Sequence, residues 1–100
     1  PIGLDAKIED NTSKLVIMIV GEAARADHFS LNGYTKKTNP NLEKEDIINF
    51  SQMYSCGTST AYSVPCMFSI YNRSNYSYKK AQYTQNVLDV LNHTNKVAIL

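Results

Sequence analysis

Residues 15–33 read LVIMIVGEAARADHFSLNG, and this stretch carries the fold assignment. The run from Lys14 to Val20 is almost continuously apolar and rich in β-branched residues. That is the pattern of a central parallel strand, covered on both faces. It ends at Gly21-Glu22. In open parallel sheets, sites form beyond the carboxyl ends of the strands. Glu22 therefore stands where a carboxylate meets a ligand, and its oxygens suit Zn²⁺, Mg²⁺ or Mn²⁺. The alternative is a helix cap, because negative charge also suits the start of a helix. Position alone leaves both readings open.

Working outward, residues 1–13 are polar and irregular and read as a linker. Glu22–Leu31 opens with a short helix, and Asn32-Gly33 marks a turn. Thr38-Asn39-Pro40 starts another short helix, with Glu43, Glu45 and Asp46 near its ends. Ile47–Phe50 predicts a second short strand. Residues 71–80, YNRSNYSYKK, form a polar surface segment, whose tyrosines suit packing more than a ligand cage. From Ala81, Tyr83, Val87, Val90 and Leu91 recur at helical spacing and predict one apolar helix face. A last strand begins at Lys96. Strands alternating with helices predict an α/β fold with a parallel sheet.

One hundred residues allow one domain at most, with a modest core. The hydrophobic fraction of 43% is that of a globular chain, not a disordered one. A net charge of +1 without a basic patch gives no reason to expect a nucleic-acid partner. No apolar run reaches the roughly 18–20 residues that span a bilayer, and there is no signal peptide. The chain opens at Pro1 without Met and stops inside an apolar run, so the expectation is a portion of something longer.

Residues 55–69, SCGTSTAYSVPCMFS, carry the chemistry. Cys56 and Cys66 bracket the hydroxyls of Thr58, Ser59, Thr60 and Ser63, and Gly57 frees the backbone before them. The two cysteines allow one disulfide, which implies an oxidising compartment, or a pair of reduced buried thiols. Their spacing does not suit a zinc site. Thr58 or Ser59 can cap a helix reaching toward Phe68, which Pro65 shortens or kinks. Thr60 is the candidate nucleophile. Its hydroxyl needs a base or a metal to react, and a helix N-terminus offers amides to a phosphate. The alternative is an ordinary Ser/Thr cap. Of the two histidines, His93 suits a helix C-terminus, and His28 reads as a surface or supporting residue. Arg25 and Asp27 suit a structural pair.

Together, VGEAARADHFSLNGY (20–34) and NFSQMYSCGTSTAYSVPCMFS (49–69) closely resemble the phosphoethanolamine transferases. These are bacterial inner-membrane enzymes whose periplasmic catalytic domain is of the alkaline-phosphatase/sulfatase type. Some modify lipid A and confer polymyxin resistance. The resemblance runs from about Lys14 to Leu100. It implies a mostly parallel sheet flanked by helices, of which residues 14–100 form the N-terminal portion. Residues 1–13 then follow a membrane domain that is absent here.

The resemblance also implies roles. Glu22 is similar to the family's zinc-ligating glutamate. Thr60 is similar to the nucleophile, bound to the same zinc, and Cys56 and Cys66 to the disulfide bracing its loop. Thr58, Ser59 and Tyr62 would line the phosphoethanolamine pocket. The implied reaction is ping-pong: phosphatidylethanolamine donates to Thr60, and a cell-envelope acceptor such as lipid A then takes the group. One or more Zn²⁺ is the implied cofactor, with its remaining ligands beyond Leu100, and the implied protein is a monomer. The family's Asp-His-Gly motif does not occur in the chain, and Asp27-His28 sits in the wrong part of the pattern to replace it. Thr60 also lacks the downstream Arg of sulfatases that make formylglycine. Rival readings are a phosphoglycerol transferase or phosphatase of the same superfamily, or an inactive structural fragment.

Overall fold

The structure is a computed structural model and describes residues 1–100. It contains helices α1 (Thr60–Phe68), α2 (Tyr78–Gln82) and α3 (Val87–His93). Three single 3-10 turns cover Ala26–His28, Ser30–Asn32 and Leu42–Lys44. The chain divides into two compact units, Pro1–Val16 with Ser55–Leu100, and Ile17–Tyr54.

In the first unit, α1 begins where the hydroxyl run predicts. Ser59 takes the extended N-cap conformation (φ −106°, ψ 144°), although its side chain makes no capping bond. Pro65 lies inside the helix and removes one backbone donor, and the helix ends three residues later at Phe68. The end is closed by Ser69, whose backbone N–H and hydroxyl both donate to the Cys66 carbonyl, at 3.1 and 2.9 Å. The polar segment that follows is a turn built on Asn72. Its Oδ1 accepts from the Ser74 and Asn75 amides, at 3.1 and 3.2 Å, which suits Asn and Ser for turns. Ser77 then caps α2 by accepting from the Lys80 amide at 3.1 Å.

The apolar periodicity from Ala81 does not give one helix. α2 stops at Gln82, and the Thr84 hydroxyl bonds back to the Lys80 carbonyl at 2.8 Å. A new helix starts at Asn86 because a capping box forms there. Leu88 N–H donates to Asn86 Oδ1 at 2.9 Å, and Asn86 N–H donates to Asp89 Oδ2 at 2.8 Å. The break turns Tyr83 outward, 83% exposed, away from the face it was expected to share. Val90 packs against the N-terminal segment: a side chain at Gly3 would meet its methyl carbons at 2.9 Å. Gln85 Oε1 ties the same region together, accepting from Ile2 N–H and contacting His93 Nε2, each at 3.0 Å. Replacing Asn86 by alanine should cost α3 about 1 kcal/mol. Amide exchange at Leu88 should then rise about fivefold. Unchanged exchange would mean that packing alone holds this helix start.

The second unit is held by side chain to backbone bonds. The Thr38 hydroxyl donates to the His28 carbonyl at 2.7 Å and accepts from Ser30 N–H at 2.9 Å. Ser30 Oγ accepts from Asn39 N–H at 3.1 Å. Gly33 closes the second 3-10 turn at φ 95°, the left-handed conformation that the Asn-Gly pair predicts. His28 packs on Tyr34 with ring centroids 4.9 Å apart. Arg25 and Asp27 form a two-bonded ion pair at 3.0 and 2.7 Å. The guanidinium hydrogen bond holds the Asp27 carboxyl below its ordinary range. These are the structural roles expected of the three residues.

No β-strand forms. The expected strands at 14–20, 47–50 and from Lys96 have no ladder partner within the chain. A strand needs a neighbour for its alternating N–H and C=O groups, and these three segments do not pair with one another. The apolar side chains accordingly face outward: Leu15 is 85% and Ile19 88% exposed. Only Cys66 and Tyr76 are buried.

Candidate active site

Thr58, Ser59 and Thr60 are consecutive and exposed, on the loop and first residue of α1. The loop is tied down from below. Cys56 and Cys66 form a disulfide with a Cα–Cα distance of 6.3 Å, within the ordinary range. Ser55 Oγ donates to the Gly57 carbonyl at 2.6 Å. Tyr62 turns inward. A side chain at Gly57 would lie 2.8 Å from Tyr62 Cδ1, so the ring occupies the space that glycine leaves. Its other face meets Tyr76 edge-on, with centroids 4.9 Å apart and an interplanar angle of 83°. The Tyr62 hydroxyl donates to the Tyr76 carbonyl at 3.4 Å. Burial pushes the Tyr76 hydroxyl above its ordinary pKa, and its oxygen has no hydrogen-bond partner.

The uncapped helix start has chemical consequences. The amides of Tyr62 and Ser63 both bond to the Ser59 carbonyl, at 3.1 and 2.9 Å. The Ser59 side chain takes no amide of the first turn. The Tyr62 and Ser63 amides are satisfied within the helix, and its N-terminus favours an anion through its dipole. Three hydroxyls border it, and no carboxylate occurs between Asp46 and Asp89 to repel a phosphate. The arrangement suits a hydroxyl nucleophile acting on a phosphoryl group.

Glu22 is exposed and belongs to the other unit. The residue after it is strained. Ala23 has φ 52°, a left-handed conformation that costs a non-glycine residue about 1–2 kcal/mol. Such strain clusters at functional positions. Ala23→Gly should raise stability by about 0.5–1 kcal/mol, the relief of strain less the added entropy of the unfolded chain. A urea midpoint that falls instead would show that the alanine methyl makes contacts outweighing the strain.

No group of three or more His, Cys, Asp or Glu side chains is placed to hold a metal. Glu22 and Thr60 each carry an oxygen donor of a kind that zinc accepts. A shallow hollow of about 360 Å³ lies along Asn49–Met53 and contains none of the candidate residues. Sequence reasoning assigns Tyr76 to packing along with its neighbouring tyrosines, and the structure singles it out at 6% exposed. It sits among polar turn formers, and no local periodicity marks it as buried.

The chain belongs to the sulfatase family, whose characteristic sequence pattern matches residues 14–96. Its relatives narrow the assignment. It is 54% identical over 86 residues to phosphatidylethanolamine transferase Mcr-2 of Escherichia coli, across 85% of this chain and 16% of that protein. The C-terminal periplasmic domain of phosphoethanolamine transferase EptC from Campylobacter jejuni superposes with a TM-score of 0.81 and 47% identity. That match covers 93% of this chain and 29% of the other. The soluble domain of lipooligosaccharide phosphoethanolamine transferase A from Neisseria meningitidis gives a TM-score of 0.69, also at 47% identity. It covers 75% of this chain and 23% of that one. Within the sulfatase family the chain stands with the phosphoethanolamine transferases. It spans 16% of the length of the first of these curated relatives.

Proposed function

We propose that the protein transfers phosphoethanolamine from phosphatidylethanolamine to a cell-envelope acceptor such as lipid A, through a covalent intermediate on Thr60. The observation that carries this reading is the exposed Thr60 at an uncapped, disulfide-braced helix start. The acceptor class follows the name of the Neisseria relative, which acts on lipooligosaccharide. In the first half-reaction the Thr60 Oγ–P bond forms and the P–O bond to diacylglycerol breaks. The departing oxygen takes up a proton and the Thr60 hydroxyl loses one. In the second, an acceptor oxygen forms its own bond to phosphorus, and Thr60 leaves and is reprotonated. The positive end of the α1 dipole stabilises the negative charge on the non-bridging oxygens. Thr58 and Ser59 orient the group by hydrogen bonding. Zinc, held by Glu22 and Thr60 with further ligands from elsewhere in the protein, would acidify the hydroxyl and neutralise phosphoryl charge.

In this reading, residues 14–100 belong to a sulfatase-like catalytic domain with a mostly parallel sheet. The unpaired segments 14–20, 47–50 and 96–100 enter that sheet beside strands elsewhere in the protein. The catalytic domain lies in the periplasm of an inner-membrane protein, where the disulfide is stable. The test is intact-protein mass spectrometry after incubation with phosphatidylethanolamine and no acceptor. The expected result is a gain of one phosphoethanolamine group, mapped to Thr60. Adduct formation from phosphatidylglycerol instead would replace this reading with a phosphoglycerol transferase.

A further inference from the structure

Helical geometry assigns opposite tasks to neighbouring residues of α1. Successive side chains are separated by about 100° around the axis. Tyr62, two residues beyond Thr60, therefore projects from nearly the opposite side of the helix. Cys66, four residues beyond Tyr62, shares its side. The exposures follow: Thr60 is exposed, Tyr62 is half-buried and Cys66 is buried. Seating Tyr62 therefore points Thr60 outward.

The disulfide alone does not achieve this. Cys66 lies six residues from Thr60, about 9 Å along the axis, so it pins the far part of the helix. The nearer anchor is the Tyr62 ring, and its seat has two sides. One is the space at Gly57. The other is Tyr76, which is 6% exposed and meets the ring edge-on. Tyr76 is itself held by its backbone, through a 2.9 Å bond from its N–H to the Asn72 carbonyl at the turn. Its hydroxyl has no partner, so the ring and not the oxygen makes the contact.

We propose that Tyr76 is a positioning residue for the nucleophile, acting through Tyr62 and the gap at Gly57 to set the direction of the Thr60 hydroxyl. The inference rests on the reading of Thr60 as nucleophile, and it changes the role of Tyr62. That ring is seated between Gly57 and Tyr76, so Tyr62 braces the loop where the family resemblance implies a pocket wall. A nucleophile displaced by about 1 Å loses up to about a hundredfold in rate while substrate binding persists.

The experiment measures two properties of the full-length protein, amide exchange over residues 56–63 without substrate, and transfer kinetics. Tyr76→Ala should speed exchange at Tyr62 and Ser63. It should also lower kcat about tenfold to a hundredfold with KM nearly unchanged. Tyr76→Phe should match the parent in both properties. Gly57→Ala removes no contact but places a methyl group against the Tyr62 ring, and should lower kcat in the same way. It decides the matter if Tyr76→Ala does not fold. Unchanged exchange and unchanged kcat in Tyr76→Ala or Gly57→Ala would overturn the proposal. So would a Tyr76→Phe protein as impaired as Tyr76→Ala, which would assign the role to the hydroxyl. Absence of transfer by the parent protein would sink the nucleophile reading instead, and faster exchange in the variants would still establish the brace.

Discussion

Thr60→Ala is expected to abolish the covalent intermediate and lower transfer by about 10⁴-fold or more, the scale of losing a nucleophile. The same change should leave the fold nearly untouched. Thr60 is exposed at the first position of α1, and exposed substitutions ordinarily shift stability by within about 0.5 kcal/mol. Alanine also has the higher helix propensity. The two readouts must therefore separate: no adduct by mass spectrometry, and an unfolding midpoint close to that of the parent. Thr60→Ser retains a hydroxyl at the same atom and should keep part of the activity. An alanine variant that still transfers at a substantial rate would remove Thr60 from the mechanism, leaving it as a helix-start residue. A variant that loses transfer and stability together would assign Thr60 a structural role first.

The helix that carries Thr60 was legible because its signals are local. A run of hydroxyls precedes it, Pro65 limits it, and α1 occupies Thr60–Phe68. The Asn32-Gly33 turn is legible for the same reason, since the left-handed conformation at Gly33 is a property of the dipeptide. The apolar run Lys14–Val20 is different. Its composition suits a strand, but a ladder depends on partners distant in sequence, and none of the other apolar segments pairs with it. Likewise, the period from Ala81 to Leu91 cannot reveal that Asn86 and Asp89 would form a capping box and start a second helix. At the site, the hydroxyls and cysteines stand out as residue types. The Tyr62–Tyr76 contact does not, because it joins a helix to a turn fourteen residues away.

Removing the disulfide should produce the largest loss of stability. Cys56 and Cys66 are separated by 10 positions. In the chain-entropy account, a link closing such a loop stabilises by about 3 kcal/mol, by restricting the unfolded chain. Few other contacts near the loop can compensate, since Cys66 and Tyr76 are the only buried residues. Cys66 itself is 4% exposed, so alanine is a better replacement than serine, which would bury an unpaired hydroxyl. The Cys56→Ala/Cys66→Ala double variant should therefore lose about 3 kcal/mol in denaturant unfolding. Transfer should fall too, because α1 would keep only the Tyr62 anchor. Combining the double variant with Tyr76→Ala distinguishes one brace from two. If the disulfide and the Tyr76 ring hold the same loop, their effects on kcat will not add, since coupled neighbours depart from additivity. Additive effects would show that each anchor fixes α1 independently. An unfolding midpoint unchanged in the double variant would mean that the native contacts of the 56–66 loop determine its conformation, and that the covalent link is dispensable to it.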